Sequence, residues 1–185
     1  MKLALVLIDI QNDYFPDGRH ELFQSERAAE QAARILSRFR AEGLPVFHVQ
    51  HISLREGSSF FLPGTAGAEI HPLVAPAARE AVVVKHAPNA FLNTGLNGML
   101  RESGAEGLVV SGMMSHMCVD TSVRAAKDLG FPVVLAEDAC ATNDLEWNGT
   151  RIPAMTVHQA FMAALNGTFA KVVPAEEILA MDFTA

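Results

Sequence analysis

Gly107-Leu-Val-Val-Ser-Gly112-Met-Met-Ser-His-Met-Cys118-Val-Asp-Thr-Ser-Val-Arg-Ala-Ala-Lys-Asp-Leu129-Gly130 is the stretch on which the fold of this chain turns. Its first six residues read as a short buried strand with glycine at the exit. After Cys118, apolar Val119, Val123, Ala126 and Leu129 recur at helical spacing until Gly130 and Pro132 stop the pattern. A strand passing through a short turn into a helix is one unit of an alternating α/β fold. Cys118 sits at the junction, where unpaired N–H groups and the helix dipole favour a thiolate. A buried, inert cysteine is the competing reading.

Two other strand ends weigh in. Leu3-Ala-Leu-Val-Leu-Ile8 is apolar throughout, as a strand covered on both faces is, and runs into Asp9. Ala81-Val-Val-Val84 is a run of the same kind and ends in Lys85. Taken singly, Asp9 and Lys85 read as an ion pair or as turn residues. Together with Cys118 they place Asp, Lys and Cys at the carboxyl ends of three strands, and that edge of a parallel sheet is where α/β proteins hold ligands.

The alternation continues along the chain. A polar loop follows Asp9, then a helix over 22–41 with Ile35, Leu36 and Phe39 on its apolar face and Gly43 closing it. Strands are expected at 45–50, 81–85, 107–112, 132–136 and 170–173. Helices are expected at 94–103, after Cys118, at 153–166 and as a closing turn near 176–181. This order predicts a parallel sheet with helices on both faces. Residues 52–80 break the pattern, and a loop that long in a compact domain is usually a lid or a binding loop. Phe60 and Phe61 there are either a lid over a pocket or a subunit contact.

Length and composition narrow the function. The 185 residues form one domain with a full core, and the net charge of −7, with no basic run, argues against a nucleic-acid partner. Residues 3–10 are too short to span a bilayer and no cleavage site follows, so no membrane role and a cytoplasmic location are expected. Two cysteines make no disulfide framework. Both are expected as reduced thiols, with Cys140 as packing.

Four segments, Leu7-Ile-Asp9-Ile-Gln-Asn-Asp13-Tyr-Phe15, Lys85-His-Ala-Pro-Asn-Ala-Phe91, Ser111-Gly-Met-Met-Ser-His-Met-Cys118-Val and Ala136-Glu-Asp138-Ala-Cys-Ala-Thr142, resemble the isochorismatase-like cysteine hydrolases in order and spacing. That family also holds nicotinamidases and N-carbamoyl amidohydrolases. The resemblance implies a three-layer α/β/α fold with a six-stranded parallel sheet. It implies an Asp9–Lys85–Cys118 triad and a cis peptide between Met113 and Met114, which would aim the N–H groups of Met114 and Cys118 at one oxyanion. It also implies a small-molecule substrate and a homodimer or homotetramer. The residue types suit C–N bond hydrolysis. A thiol of ordinary pKa, about 8.5, is only a few per cent thiolate at neutral pH, so a base such as Asp9 and a cation such as Lys85 are needed to make it a nucleophile.

The match has gaps. Nicotinamidases of the family carry an Asp-x-His pair after the second strand, whereas this chain has His48-Val-Gln-His51. His48, His51 and His71 fit no ligand spacing. No metal and no organic cofactor are therefore expected, and nicotinamide becomes a less favoured substrate. Isochorismatases proper do not use this cysteine, so Cys118 favours an amide or carbamoyl compound over a C–O substrate. Phe15, Phe61, Phe91 and Met114 are expected to line the pocket, Gln11 or Asn12 to supply polar handles, and His116 to shape the rim. Trp147 would reach in from its own chain or a neighbour, and Arg55 would bind a substrate carboxylate. Two readings compete with the amidohydrolase: a C–O hydrolase of the same fold, and an idle binding or redox-sensing protein.

Overall fold

The computed structural model describes residues 2–183. Strand β1 (Leu3–Ile8) is buried on both faces, and its alternate side chains separate into two cores. Leu3, Leu5 and Leu7 pack with helices α1 (Ser25–Ala41) and α5 (Ala175–Leu179). Ala4, Val6 and Ile8 pack with helices α2 (Leu96–Glu102), α3 (Asp120–Asp128) and α4 (Ala154–Leu165). Period-two alternation of a wholly apolar strand thus produces the three layers.

The remaining strands of the main sheet are β2 (Val46–His51), β3 (Ala81–Lys85), β4 (Gly107–Met113), β5 (Val133–Ala141) and β8 (Lys171–Val173). They run parallel with β1 in the order β3-β2-β1-β4-β5-β8. The expected six-stranded parallel sheet is what forms. The order reverses between β1 and β4, which opens a crevice beyond their carboxyl ends. Gly112 makes that junction possible. Its φ is +141°, and a Cβ there would stand 2.1 Å from the Ile8 carbonyl oxygen.

Four details differ from the sequence reading. Helix α1 begins at Ser25 rather than residue 22, because Phe23 instead bridges to Thr142 as an extended segment. Strand β5 runs on through Glu137 and Asp138 to Ala141 past a register shift against β4, so Cys140 lies on a strand, buried in the core. Strand β3 is an edge strand with Val82 and Val84 exposed, not one covered on both faces. A two-stranded hairpin, β6 (Leu145–Trp147) and β7 (Thr150–Ile152), occupies a stretch expected as loop and leaves Trp147 71% exposed. No helix among the described residues is long and apolar enough to cross a membrane.

One polar cluster ties α1 to the approach to β3. Glu80 accepts from Arg40 Nε and Nη2 (both 2.7 Å) and from the Ala77 N–H (2.8 Å), and pairs with His48 Nε2 (2.8 Å). The Arg40 hydrogen bonds hold the Glu80 carboxyl down to about 2, against burial, which pushes the other way. A carboxylate with a depressed folded-state pKa stabilises the fold above its unfolded value and loses that contribution as pH falls toward the folded one. Urea titrations should therefore show Glu80→Gln costing about 1–2 kcal/mol at pH 7, after allowance for solvent screening, with the gap to wild type closing between about pH 4.5 and 2. An unchanged gap across that window would refute the assignment.

Candidate active site

Asp9 follows β1 directly, and its φ of +51° turns it out of the strand path. Asp tolerates this left-handed region better than most residues, and it aims the carboxylate into the crevice instead of a face of the sheet. Lys85 ends β3, two strands away across β2. Cys118 lies in a π turn, Ser115–Val119, between β4 and α3. The peptide between Met113 and Met114 is cis, at the expected position.

The structure brings the three side chains together inside the protein. Asp9 is wholly buried, Lys85 is 1% exposed and Cys118 is 4% exposed. The Lys85 ammonium donates to His51 Nδ1 (3.0 Å), to the Ala87 carbonyl (3.0 Å) and to Cys118 Sγ (3.3 Å). It also stands 2.7 Å from Asp9 Oδ2. The ammonium's three protons are thus shared among four acceptors, of which the Asp9 carboxylate is the nearest. That carboxylate faces Lys85 and Cys118 and has no other hydrogen-bond partner among the described residues.

Burial dominates the electrostatics. It raises the Asp9 pKa despite the neighbouring Lys85 charge. Burial also raises the Cys118 thiol, the Asp9 charge adds to this, and Lys85 offsets only part. For Lys85 burial works downward, but the negative charges of Asp9 and Cys118 reverse it and leave the ammonium raised. The shift favours the protonated thiol at rest, against the pull expected of a helix N-terminus. Cys118 lies within the π turn, with Val119 alone between it and Asp120, the first residue of α3, and desolvation outweighs the pull of the helix dipole.

His51 is the site residue that the sequence did not reveal. It ends β2, and its backbone is paired in register with Lys85. Gln11 clamps it, with Oε1 accepting the His51 N–H (2.7 Å) and Nε2 donating to the His51 carbonyl (2.9 Å) and to Ala68 (2.7 Å). Burial, then the charges of Lys85 and His86, push the His51 pKa down to about 4, so the ring is neutral and free to accept at Nδ1. Gln11, expected as a handle for substrate, spends its amide on this clamp. Asn12 spends its own on the Ala66 carbonyl (2.8 Å).

The three histidines weighed as metal ligands go three ways. His48 pairs with Glu80, His71 stacks on Phe15 at 3.7 Å between ring centroids, and His51 turns to Lys85. Ligand atoms of Asp9, His51 and Cys118 do lie within 4.8 Å of one another, but the Lys85 ammonium contacts all three, so an ion there would share its seat with a positive charge.

The long loop covers the site. Phe61 is 1% exposed, with its ring 4.6 Å from Tyr14 and 6.0 Å from His51, which makes it an internal cover and not a subunit contact. Its φ of +55° is held by Asp13, whose Oδ2 accepts the Phe61 N–H at 2.6 Å. Gly67 lets that carboxylate in, since a Cβ there would stand 2.1 Å from Asp13 Oδ1. Met114 is buried in the core on the α1 side, Phe91 packs half-buried on the α2–α3 side, and His116 Nδ1 bonds Thr142 Oγ1. Phe15 is committed to His71, and Arg55 and Trp147 are exposed.

Residues 3–177 match the isochorismatase domain. An uncharacterized isochorismatase family protein of Bacillus subtilis, YddQ, is 54% identical over 179 residues, covering 97% of this chain and 99% of that one. A putative isochorismatase hydrolase from Oleispira antarctica, of known crystal structure, is 49% identical with a TM-score of 0.94, covering 97% of each chain. A streptothricin hydrolase of Streptomyces noursei is 36% identical over 144 residues, 77% of this chain and 50% of that protein. The matched region contains every strand and turn that supplies Asp9, His51, Lys85 and Cys118, and the chain belongs to the isochorismatase family of hydrolases.

Proposed function

We propose that this chain is a cysteine-dependent hydrolase that cleaves a C–N bond in a small, uncharged amide or carbamoyl compound. One observation carries the reading: the buried Asp9 carboxylate and the Cys118 thiol stand together beyond the strand ends, bridged by the Lys85 ammonium, which pairs with the carboxylate and donates to the sulfur. The likeness to a protein named streptothricin hydrolase supports hydrolysis of a small molecule without naming the bond or the substrate.

The catalytic residues on this reading are Asp9, Lys85 and Cys118. As sulfur approaches the substrate carbonyl, the thiol proton passes to Asp9 and the C–S bond forms. The backbone N–H groups of Met114 and Cys118 receive the oxyanion, and losing one such donor typically costs about 10²–10³ in rate. Collapse breaks the C–N bond while Asp9 returns its proton to the departing nitrogen. The thioester left on Cys118 is attacked by water, with Asp9 again accepting the proton, and acid and free thiol are released. Lys85 stays charged throughout and balances whichever neighbour is the anion. A thiol protonated at rest suits this sequence, because it becomes a nucleophile only when a carbonyl is in place to receive it.

Ammonia release from a panel of small amides and carbamoyl compounds tests the reading. Cys118→Ala should abolish release while leaving the melting temperature near that of wild type. Turnover of a C–O substrate that survives in Cys118→Ala would establish the other reaction of the fold instead.

The acid limb of kcat/KM gives a second check. Asp9 must be ionised to accept a proton, and burial raises its pKa above the ordinary 3.8. Activity should therefore fall on the acid side at a pH higher than an exposed aspartate would give. A limb at or below pH 3.8 would exclude Asp9 as the base.

A further inference from the structure

We infer that His51 is a positioning residue for the reaction, acting through Lys85, and that it holds the ammonium in place between Asp9 and Cys118. The inference rests on the hydrolase reading for its purpose, but on geometry for its substance.

Lys85 reaches the site from the edge strand β3 across β2, and the residue it must pass on β2 is its register partner His51. Four acceptors surround its ammonium: His51 Nδ1, the Ala87 carbonyl, Cys118 Sγ and Asp9 Oδ2. Three protons cannot serve four acceptors. Asp9 is the nearest at 2.7 Å and the only full negative charge, and an unrestrained ammonium would turn a proton toward it. His51 and Ala87 fix two proton directions, so the third is left between the Asp9 carboxylate and the Cys118 sulfur and the ammonium is not drawn wholly to Asp9. The consequence is a cation that serves nucleophile and base together.

His51 is itself built for this. Gln11 holds its N–H and carbonyl together, and the Phe61 ring lies beside its side chain. An ammonium cannot accept a hydrogen bond, so Nδ1 must be the acceptor and the ring proton must sit on Nε2. Gln11 therefore orients His51, and His51 orients Lys85.

Alkylation of Cys118 by iodoacetamide, followed by mass spectrometry of its peptide, reads the effect without any substrate. His51→Asn places an amide oxygen near the position of Nδ1, whereas His51→Gln carries it out toward Nε2. Alkylation at fixed pH should stay within about threefold of wild type in the Asn variant and fall about tenfold or more in the Gln variant, the scale of one lost charge-assisted hydrogen bond to the thiolate. Equal rates in the two variants would overturn the inference, since a packing or general polar role does not distinguish them. A second measurement needs no substitution. Nitrogen-15 shifts of His51 in the wild-type protein should show a bare Nδ1 and a protonated Nε2 between about pH 6 and 8. A proton on Nδ1 would overturn the inference equally. Absence of amide turnover in the wild-type protein, with the alkylation difference between the two variants intact, would count against the hydrolase reading and leave the His51 role supported.

Discussion

The buried ammonium of Lys85 is the constraint around which the site is built. A cation taken out of water is costly unless paired and hydrogen-bonded, and truncating its partner typically costs about 3–5 kcal/mol. Lys85 is therefore surrounded: a carboxylate for its charge, and an imidazole, a carbonyl and a sulfur for its protons. Each partner comes from a different segment, and each segment carries its own device for arriving there. Asp9 uses a positive φ, His51 the Gln11 clamp, and Cys118 a π turn made possible by the Gly112 approach to Ile8. An ion pair this dry is weak evidence of stability. Its placement at the carboxyl edge beside the strand-order reversal points to chemistry instead.

Burial sets the character of that chemistry. The dryness that raises the Asp9 and Cys118 pKa values also strengthens every charge interaction among them. Phe61 maintains it, held by a buried carboxylate that does no proton work. Asp13 sits four residues after Asp9 on the same loop, so one short segment supplies both the base and the anchor of the cover. Cover and base are thus mechanically coupled through residues 9–13, with Gln11 between them gripping His51.

What the sequence disclosed and what it hid follow from range. Asp9, Lys85 and Cys118 could be read because each ends an apolar run, and parallel strands bring such ends to one edge. The wholly apolar Leu3–Ile8 likewise announced a two-sided sheet. Gln11, Asp13 and His51 were hidden because their roles are side-chain bonds to distant backbone, which leave no periodic trace. The extension of β5 was masked by Glu137 and Asp138, whose polarity reads as the end of a strand. The β6–β7 hairpin was readable: Asn148-Gly149, both at positive φ, is the pair that two-residue hairpins favour. Val82 and Val84 misled because an apolar run gives no hint of whether its strand is central or at the edge.

The same count of protons and acceptors bears on what the lysine supplies here that a metal ion would not. Asp9, His51 and Cys118 are a plausible ligand set by type, close enough to share an ion. A divalent cation would bind all three firmly, fixing sulfur as a coordinated thiolate and occupying the carboxylate. The ammonium contacts the same three groups through directed, exchangeable protons. It balances the charge of Asp9 through a contact that can loosen when a proton moves. On the hydrolase reading proposed above, a cysteine that is thiol, thiolate and thioester in turn, beside a carboxylate that accepts and returns a proton, is better served by that looser cation.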